Sequence, residues 1–551
     1  MITDRLEQLV LEALDKLRQD GLLSIQAPPT IEFERPKRRE HGDWSTNVAL
    51  AVAGGKSPPR EMAAALVDRL PSSEIVERAD VAGPGFVNFF LAPQWLHDVV
   101  RLACDPDSGF GRSSIGAGRS VNVEYVSANP TGQINVITGR HASVGDAIAN
   151  LLEAVGYQVT REYYFNDAGR QMDLFAWSVA VRYLQSFGRD VEMPADGYMG
   201  EEVIELAREV ARDVGDSLVE LDQQQLTGRM LEIAVPRVLD AIKQTLERFG
   251  TRFDIWFSES RLRAGEIDKA IAILREKDFV EDREGAVWFK STLFGDDKDR
   301  VVVRSNGEPT YFAADLGYLL DKFSRGYDHL IYLWGADHHG TVPRLLGAAE
   351  AFGYERDRVE VRLVQIVSLL RGGAPVVGSK RAGAVVPLDE LIDEIGVDAA
   401  RYTYLTRSYD AHLEFDIELV KQQAPENPVY YVQYAHARIS SILRKAQEEG
   451  FDFDPATDDL TLLGHDNEVE LMRKLAAFEE LVLLAAERRA PHRVAGYLEE
   501  LAASFSAFYR DCRVMSDDAE LSRARLALCL ATRRTLADGL ALLGVSAPER
   551  M

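Results

Sequence analysis

VNVEYVSANPTGQINVITGRHASVGDAIANLLEAVGYQVTREYYF, Val121 to Phe165, is the stretch on which the fold turns. Its start alternates Val121, Val123 and Tyr125 with polar neighbours, the period of a strand. A loop with Pro130, Gly132 and Gly139 follows, then Ile148, Leu151 and Leu152 at helical spacing. Gln158–Phe165 returns to a strand pattern. Parallel neighbours in a sheet need a long crossover, and a helix supplies it here. The stretch therefore predicts a βαβ unit of the nucleotide-binding type.

Outward from this unit, HLIYLWGADHHG (His329 to Gly340) and VEVRLVQIVSLL (Val359 to Leu370) read as further buried strands. Between them and the βαβ unit, residues 170–300 are mostly helical and charged, which predicts an insertion into an α/β sheet. A Gly- and Ser-rich run at 108–118 places a boundary near 116. Before it, Ile2, Leu6, Leu9, Val10, Ala13 and Leu17 form one face of an amphipathic helix, and GPGFVNFFL (Gly83 to Leu91) reads as turn then strand. Beyond residue 420 helical patterns dominate. The prediction is an α/β protein of three parts: residues 1–115 α+β, 116–420 a nucleotide-binding core with its insertion at about 170–300, and 421–551 an all-helical bundle. A chain of 551 residues exceeds one hydrophobic core.

The bulk numbers narrow the function classes. The chain is 46% hydrophobic and 27% charged, which predicts folding rather than disorder. A net charge of -25 argues against coating nucleic acid, though it leaves room for a local basic face. Arg35, Lys37, Arg38 and Arg39 supply either such a face or a solvated loop. No apolar run is long enough to span a membrane. Cys104, Cys512 and Cys529 stand far apart, so neither disulfides nor a zinc site is expected, and the cytoplasm is the natural compartment.

Some residues carry chemistry on their own. Glu124 closes the first strand, and Asp315 lies four residues after Tyr311, on one helical face if TYFAADLGYLL is a helix. Carboxylates so placed suit a guanidinium, which is planar, always charged and best held by a carboxylate fork. The glycines of GADHHG allow a ligand such as adenine to approach the backbone. A metal site from Asp337, His338 and His339 is the competing reading, and nucleotide binding is preferred. Tyr430, Tyr434 and His436 fall on one helix, where aromatic faces either stack on unpaired bases or pack in a core.

VEYVSANPTG (Val123 to Gly132), REYYFNDAGRQ (Arg161 to Gln171), GADHHG (Gly335 to Gly340) and ENPVYYVQYAHAR (Glu426 to Arg438), in this order, resemble the arginyl-tRNA synthetase family. GDWSTN (Gly42 to Asn47) before them and LLGVSAPERM (Leu542 to Met551) after them extend the resemblance over nearly the whole chain. It implies a class I synthetase: an N-terminal tRNA-elbow-binding domain, a Rossmann catalytic core and a C-terminal anticodon-binding domain. It implies arginine recognition by Glu124, Asn129, Tyr311, Asp315 and Gln365, nucleotide binding around Gly335, Asp337, His338, His339 and Ser379, and tRNA contacts from Tyr430, Tyr434 and His436. ATP with magnesium and tRNA are the implied co-substrates, and a monomer the implied state.

Two signatures depart from the family pattern. Where the family places its His-x-Gly-His motif, this chain has Asn135, Val136, Ile137 and Thr138. Losing two donors to a developing phosphoryl charge predicts a cost of roughly 4–8 kcal/mol if the effects add. Ile137 also brings a branched side chain to the expected nucleotide site. The second signature reads VGSK, Val377 to Lys380, keeping Ser379 and Lys380. Asn135, Thr138 and Lys380 are thus the altered catalytic positions, with His141, Arg140 and Asn135 as candidate substitute donors, against the reading that Arg140 and His141 simply begin a soluble helix. Adenylation is expected to be impaired. Three functions stay open: a protein that recognises arginine and tRNA but modifies arginine or an arginine-containing peptide by other chemistry, which this reading favours; a slow or tRNA-dependent arginine–tRNA ligase; and a non-enzymatic arginine or tRNA sensor.

Overall fold

The computed structural model of the protein describes residues 2–24, 30–36, 38–53, 58–376, 386–424 and 426–551. The chain folds into two compact units, one of residues 1–110, 439–480 and 503–535, the other of 111–438, 481–502 and 536–551.

In the first unit the amphipathic helix Ile2–Gln19 buries Leu6, Val10, Ala13, Leu14 and Leu17. A four-stranded antiparallel sheet runs in the order Phe33–Glu34, Trp44–Thr46, Phe86–Leu91, Val76–Ala82. The helix Gln94–Cys104 turns Trp95, Leu96, Val100 and Ala103 inward and packs on the helix Asp466–Ala476. Phe110 meets the ring of Phe478 at 5.7 Å, and the Cys104 thiol donates to the carbonyl of Ala527.

The second unit is built on a five-stranded parallel sheet: β1 (Ser120–Glu124), β2 (Gln158–Phe165), β3 (Ile255–Ser258), β4 (His329–Gly335) and β5 (Val359–Val364), in the order β5-β4-β1-β2-β3. The crossover from β1 to β2 is α1 (Val136–Ala154), as the sequence predicts. Gly145 on α1 sits directly over the ring of Tyr125, where a Cβ would collide with the ring, so this glycine lets the helix lie close on the sheet. A second helix, α2 (Tyr311–Ser324), precedes β4, with Thr310 accepting from the Ala313 amide at its start.

Two expectations are corrected. VEVRLVQIVSLL is not one strand: β5 ends at Val364, and Val367–Arg371 enters a separate three-stranded sheet with Ala374–Pro375 and Leu413–Asp416. Continuous apolar character cannot reveal a change of sheet partner. The span 170–300 is likewise not uniformly helical. Three helices, Arg170–Ser186, Glu201–Val214 and Gln223–Arg248, lead into β3, the edge strand of the core sheet, and then into an antiparallel sheet of Val280–Arg283, Ala286–Phe289 and Arg300–Val303. The C-terminal region contains α3 (Pro428–Glu448) and the helices Phe478–Glu487, His492–Asp511 and Ala519–Leu542. No helix among the described residues is long and apolar enough to cross a membrane.

Candidate active site

At the carboxyl ends of β1, β2 and β4 lies a cavity of about 560 Å3, where an open parallel sheet offers a ligand crevice. Glu124, Asn129, Tyr311 and Asp315 all line it. They reach it from separate elements: the end of β1, the loop after it, and the first turns of α2.

Glu124 is 5% exposed and pairs with residue Glu162 on β2, so two carboxylates stand side by side on neighbouring strands. Like charges in that position repel. Two cations on α2 and just past its end answer them. Lys322, with no exposed surface, places Nζ 2.6 Å from Glu124 Oε2, above the rings of Tyr332 at 4.0 Å and Tyr318 at 4.5 Å. Arg325 donates twice to Glu162, at 2.8 and 2.9 Å, and the Tyr318 hydroxyl and Asn122 amide donate to it as well. Burial alone would raise the Glu162 pKa, but Lys322 and Arg325 hold it below the usual carboxylate value. Lys322 leaves the second oxygen of Glu124 to the Ser127 hydroxyl, which donates at 3.2 Å.

The chain turns sharply there. Val126 and Ser127 have φ of 70° and 45°, a left-handed conformation costly for a β-branched residue and common where a site fixes its geometry. The turn is pinned by Tyr163, whose hydroxyl donates to the Ala128 carbonyl at 2.8 Å, and Asn129 then donates to Gln171 at 2.9 Å.

Asp315 sits across the cavity. Burial, and then the charges of Glu124 and Glu259, push its pKa up to about 7, with Arg344 pulling the other way. Glu259 is a third buried carboxylate on the cavity wall, accepting from the Tyr164 hydroxyl at 2.8 Å and from Arg263 at 3.2 Å. Burial and Glu259 raise the Tyr164 pKa in turn. A pocket walled by three carboxylates, one of them driven towards protonation, is matched by a ligand with a buried positive charge. Tyr311, 68% exposed, stands at the mouth.

Gln365 does not line the cavity. It follows β5, its carbonyl accepts from Arg140 at 2.8 Å, and its amide donates to Tyr409. The sequence does not single out Glu259, Tyr164 or Lys322 as parts of the site. The spacing of Lys322 from Asp315 on α2 was the only local hint, because Glu124 lies 198 residues away.

Gly335 and His338 of the GADHHG turn line the cavity, whereas Asp337 and His339 do not. The turn runs through the 3-10 segment Ala336–Thr341, with His338 Nε2 3.6 Å from Asp337 Oδ2.

Asn135 and Thr138 do not line the cavity. The Asn135 side-chain oxygen caps α1, accepting from the amides of Ile137 and Thr138 at 3.0 Å and from the Thr138 hydroxyl at 3.1 Å. Ile137 packs against the apolar cluster holding Leu388, Tyr404 and Phe415 instead of projecting into the cavity, which corrects the expectation that it crowds a nucleotide. Asn135→Ala is expected to cost about 0.5–2 kcal/mol of stability through loss of the cap, read as a lower denaturation midpoint. An unchanged midpoint would remove that role.

Arg140 is fully buried and donates to the carbonyls of Gln365 and Ser408, both at 2.8 Å, so it is a brace between segments. Ser379 and Lys380 lie outside the described residues. Tyr430 and Tyr434 stack on α3 with ring centroids 5.9 Å apart, and Tyr434 is 40% exposed. His436 is 5% exposed, with Nδ1 2.9 Å from the Pro548 carbonyl. The structure therefore turns it towards the C-terminal tail and not to a surface where a base could stack.

Comparison with known proteins agrees with this architecture. Residues 4–91 match the arginyl tRNA synthetase N terminal domain, 109–409 the class I (R) tRNA synthetase catalytic domain, and 432–551 the DALR anticodon binding domain. An arginine–tRNA ligase of Carboxydothermus hydrogenoformans is 46% identical over 96% of this chain and 96% of its own length. One from Desulforamulus reducens is 45% identical over 99% of this chain and 97% of its own. The structure of Thermus thermophilus arginyl-tRNA synthetase superposes with a TM-score of 0.79 at 25% identity, covering 100% of both chains. These relatives overturn the expectation that the altered signature marks different chemistry on arginine or an arginine-containing peptide, or a mere sensor. Whole-chain identity of 43–46% is shared with proteins that are arginine–tRNA ligases.

Proposed function

The chain belongs to the arginyl-tRNA synthetase family, a class I synthetase fold, and from that premise we propose that it joins arginine to its tRNA at the expense of ATP. One observation carries the reading: Glu124 and Asp315 face a single cavity that also reaches the GADHHG turn. A guanidinium seated against the carboxylates points the amino acid's own carboxylate towards the nucleotide. Asn129 and Tyr311 complete the arginine pocket, Gly335 and His338 hold the adenosine end, and Ser379 and Lys380 act on the phosphates. ATP enters as its magnesium complex.

In the first step a carboxylate oxygen of arginine attacks the α-phosphorus, the bond to the β-phosphate oxygen breaks, and pyrophosphate leaves with the electron pair. In the second, a ribose hydroxyl at the tRNA 3′ end attacks the acyl carbon and AMP departs. Residues 1–115 grip the tRNA elbow and 421–551 the anticodon, with Tyr430 and Tyr434 offering stacking faces. The setting is the cytoplasm.

The test is arginine-dependent exchange of labelled pyrophosphate into ATP, with and without tRNA, followed by formation of arginyl-tRNA. We expect both with arginine and neither with lysine, whose ammonium cannot be forked by two carboxylates. Arginine binding without exchange under any tRNA condition would remove the reading.

A further inference from the structure

The substrate cavity contains an imidazole that the amino-acid pocket leaves unused. His141 lies on α1, three residues beyond Thr138, and lines the same cavity as Glu124, Asp315, Gly335 and His338. Its Nδ1 is buried and has no hydrogen-bond partner among the described residues. Because Nδ1 is closed off inside the protein, the ring nitrogen left to meet a ligand in the cavity is Nε2, which carries the proton when the buried Nδ1 is the bare nitrogen.

We propose that His141 is a catalytic residue of adenylate formation, donating a hydrogen bond to the α-phosphoryl oxygens as arginine attacks; this rests on the ligase reading above. Attack puts negative charge on those oxygens before pyrophosphate leaves, and a preorganised donor at that spot lowers the barrier. Several other donors in this region are already engaged. Lys322 is held by Glu124, Arg140 by two carbonyls, and Asn135 and Thr138 are spent on the helix cap. Arg344 is 3.6 Å from Asp296, and His338 is open to solvent beside Asp337. Burial and the adjacent Arg140 push the His141 pKa down to about 4, against the opposing charge of Asp337. The ring is therefore neutral at pH 7 and keeps one N–H to donate, without a positive charge to repel the substrate guanidinium.

The experiment compares the parent protein with His141→Ala and His141→Gln. It reads pyrophosphate exchange with saturating arginine and ATP, arginine affinity by calorimetry, and exchange after adding free imidazole. The expected result for His141→Ala is a fall in kcat on the order of 10²–10³, arginine affinity within about threefold, and partial recovery with imidazole. His141→Gln, which keeps an N–H donor, should fall less. Exchange by His141→Ala within about threefold of the parent would overturn the role. So would a loss matched by lost arginine binding and not rescued by imidazole, since that marks His141 as packing. A parent protein without any arginine-dependent exchange would remove the ligase reading, and this role with it.

Discussion

Asp315→Ala is expected to weaken arginine binding by well over tenfold, because removing one partner of a buried charged contact costs about 2–5 kcal/mol. The raised pKa adds a pH signature. In the free protein Asp315 holds its proton up to about pH 7, under the burial and the negative charge of Glu124 and Glu259. A guanidinium favours the charged form, so binding below pH 7 must expel that proton. Arginine affinity should rise with pH towards about 7 and level off above it, and the slope should vanish in Asp315→Asn. The linkage to folding has the opposite sign. A carboxyl whose folded pKa exceeds its unfolded value of 3.8 binds protons more tightly when folded, so its contribution to stability declines from about pH 4 to about pH 7. Saturating arginine should remove that decline. Calorimetry across pH 5.5–8 with equal affinities for parent and Asp315→Ala would eliminate Asp315 from the pocket.

The second large effect concerns Lys322. Its ammonium is wholly buried, 2.6 Å from Glu124. Lys322→Met preserves most of the volume but strands a buried carboxylate, which should lower stability by about 3–5 kcal/mol and weaken arginine binding as Glu124 loses its fixed position. Adding Glu124→Gln should return a large part of the stability, since the stranded charge is then gone. If the double variant were as unstable as the sum of the two single ones, the pair would not be coupled.

Much of this site could be read from the sequence because its parts are local. A strand ending in Glu124, the glycine-rich loop with Asn129 and the Tyr311–Asp315 helical spacing each predict their own geometry, and these four residues meet in one cavity. What stayed hidden is set by distant packing. Glu259 reaches the wall from the segment after β3, the span read as helical insertion. Whether α3 turned His436 inward, or Arg140 into the protein, depends on neighbours more than 100 residues away. The tetrapeptide at 135–138 is misleading for a related reason: in the sequence the side chains it lacks stand out, whereas in the structure Asn135 forms the helix cap and Ile137 joins the core.

The first compact unit also sets a timetable for biosynthesis. Its opening 110 residues are completed by segments 439–480 and 503–535. The helix Gln94–Cys104 packs on Asp466–Ala476, which emerges from the ribosome much later. At about 5–20 residues per second, the apolar face of Trp95, Leu96 and Val100 waits on the order of tens of seconds for that cover. During that interval the nascent chain presents an adhesive surface, and chaperones that shield such faces should raise the yield of the full-length protein far more than that of a fragment beginning at the catalytic core.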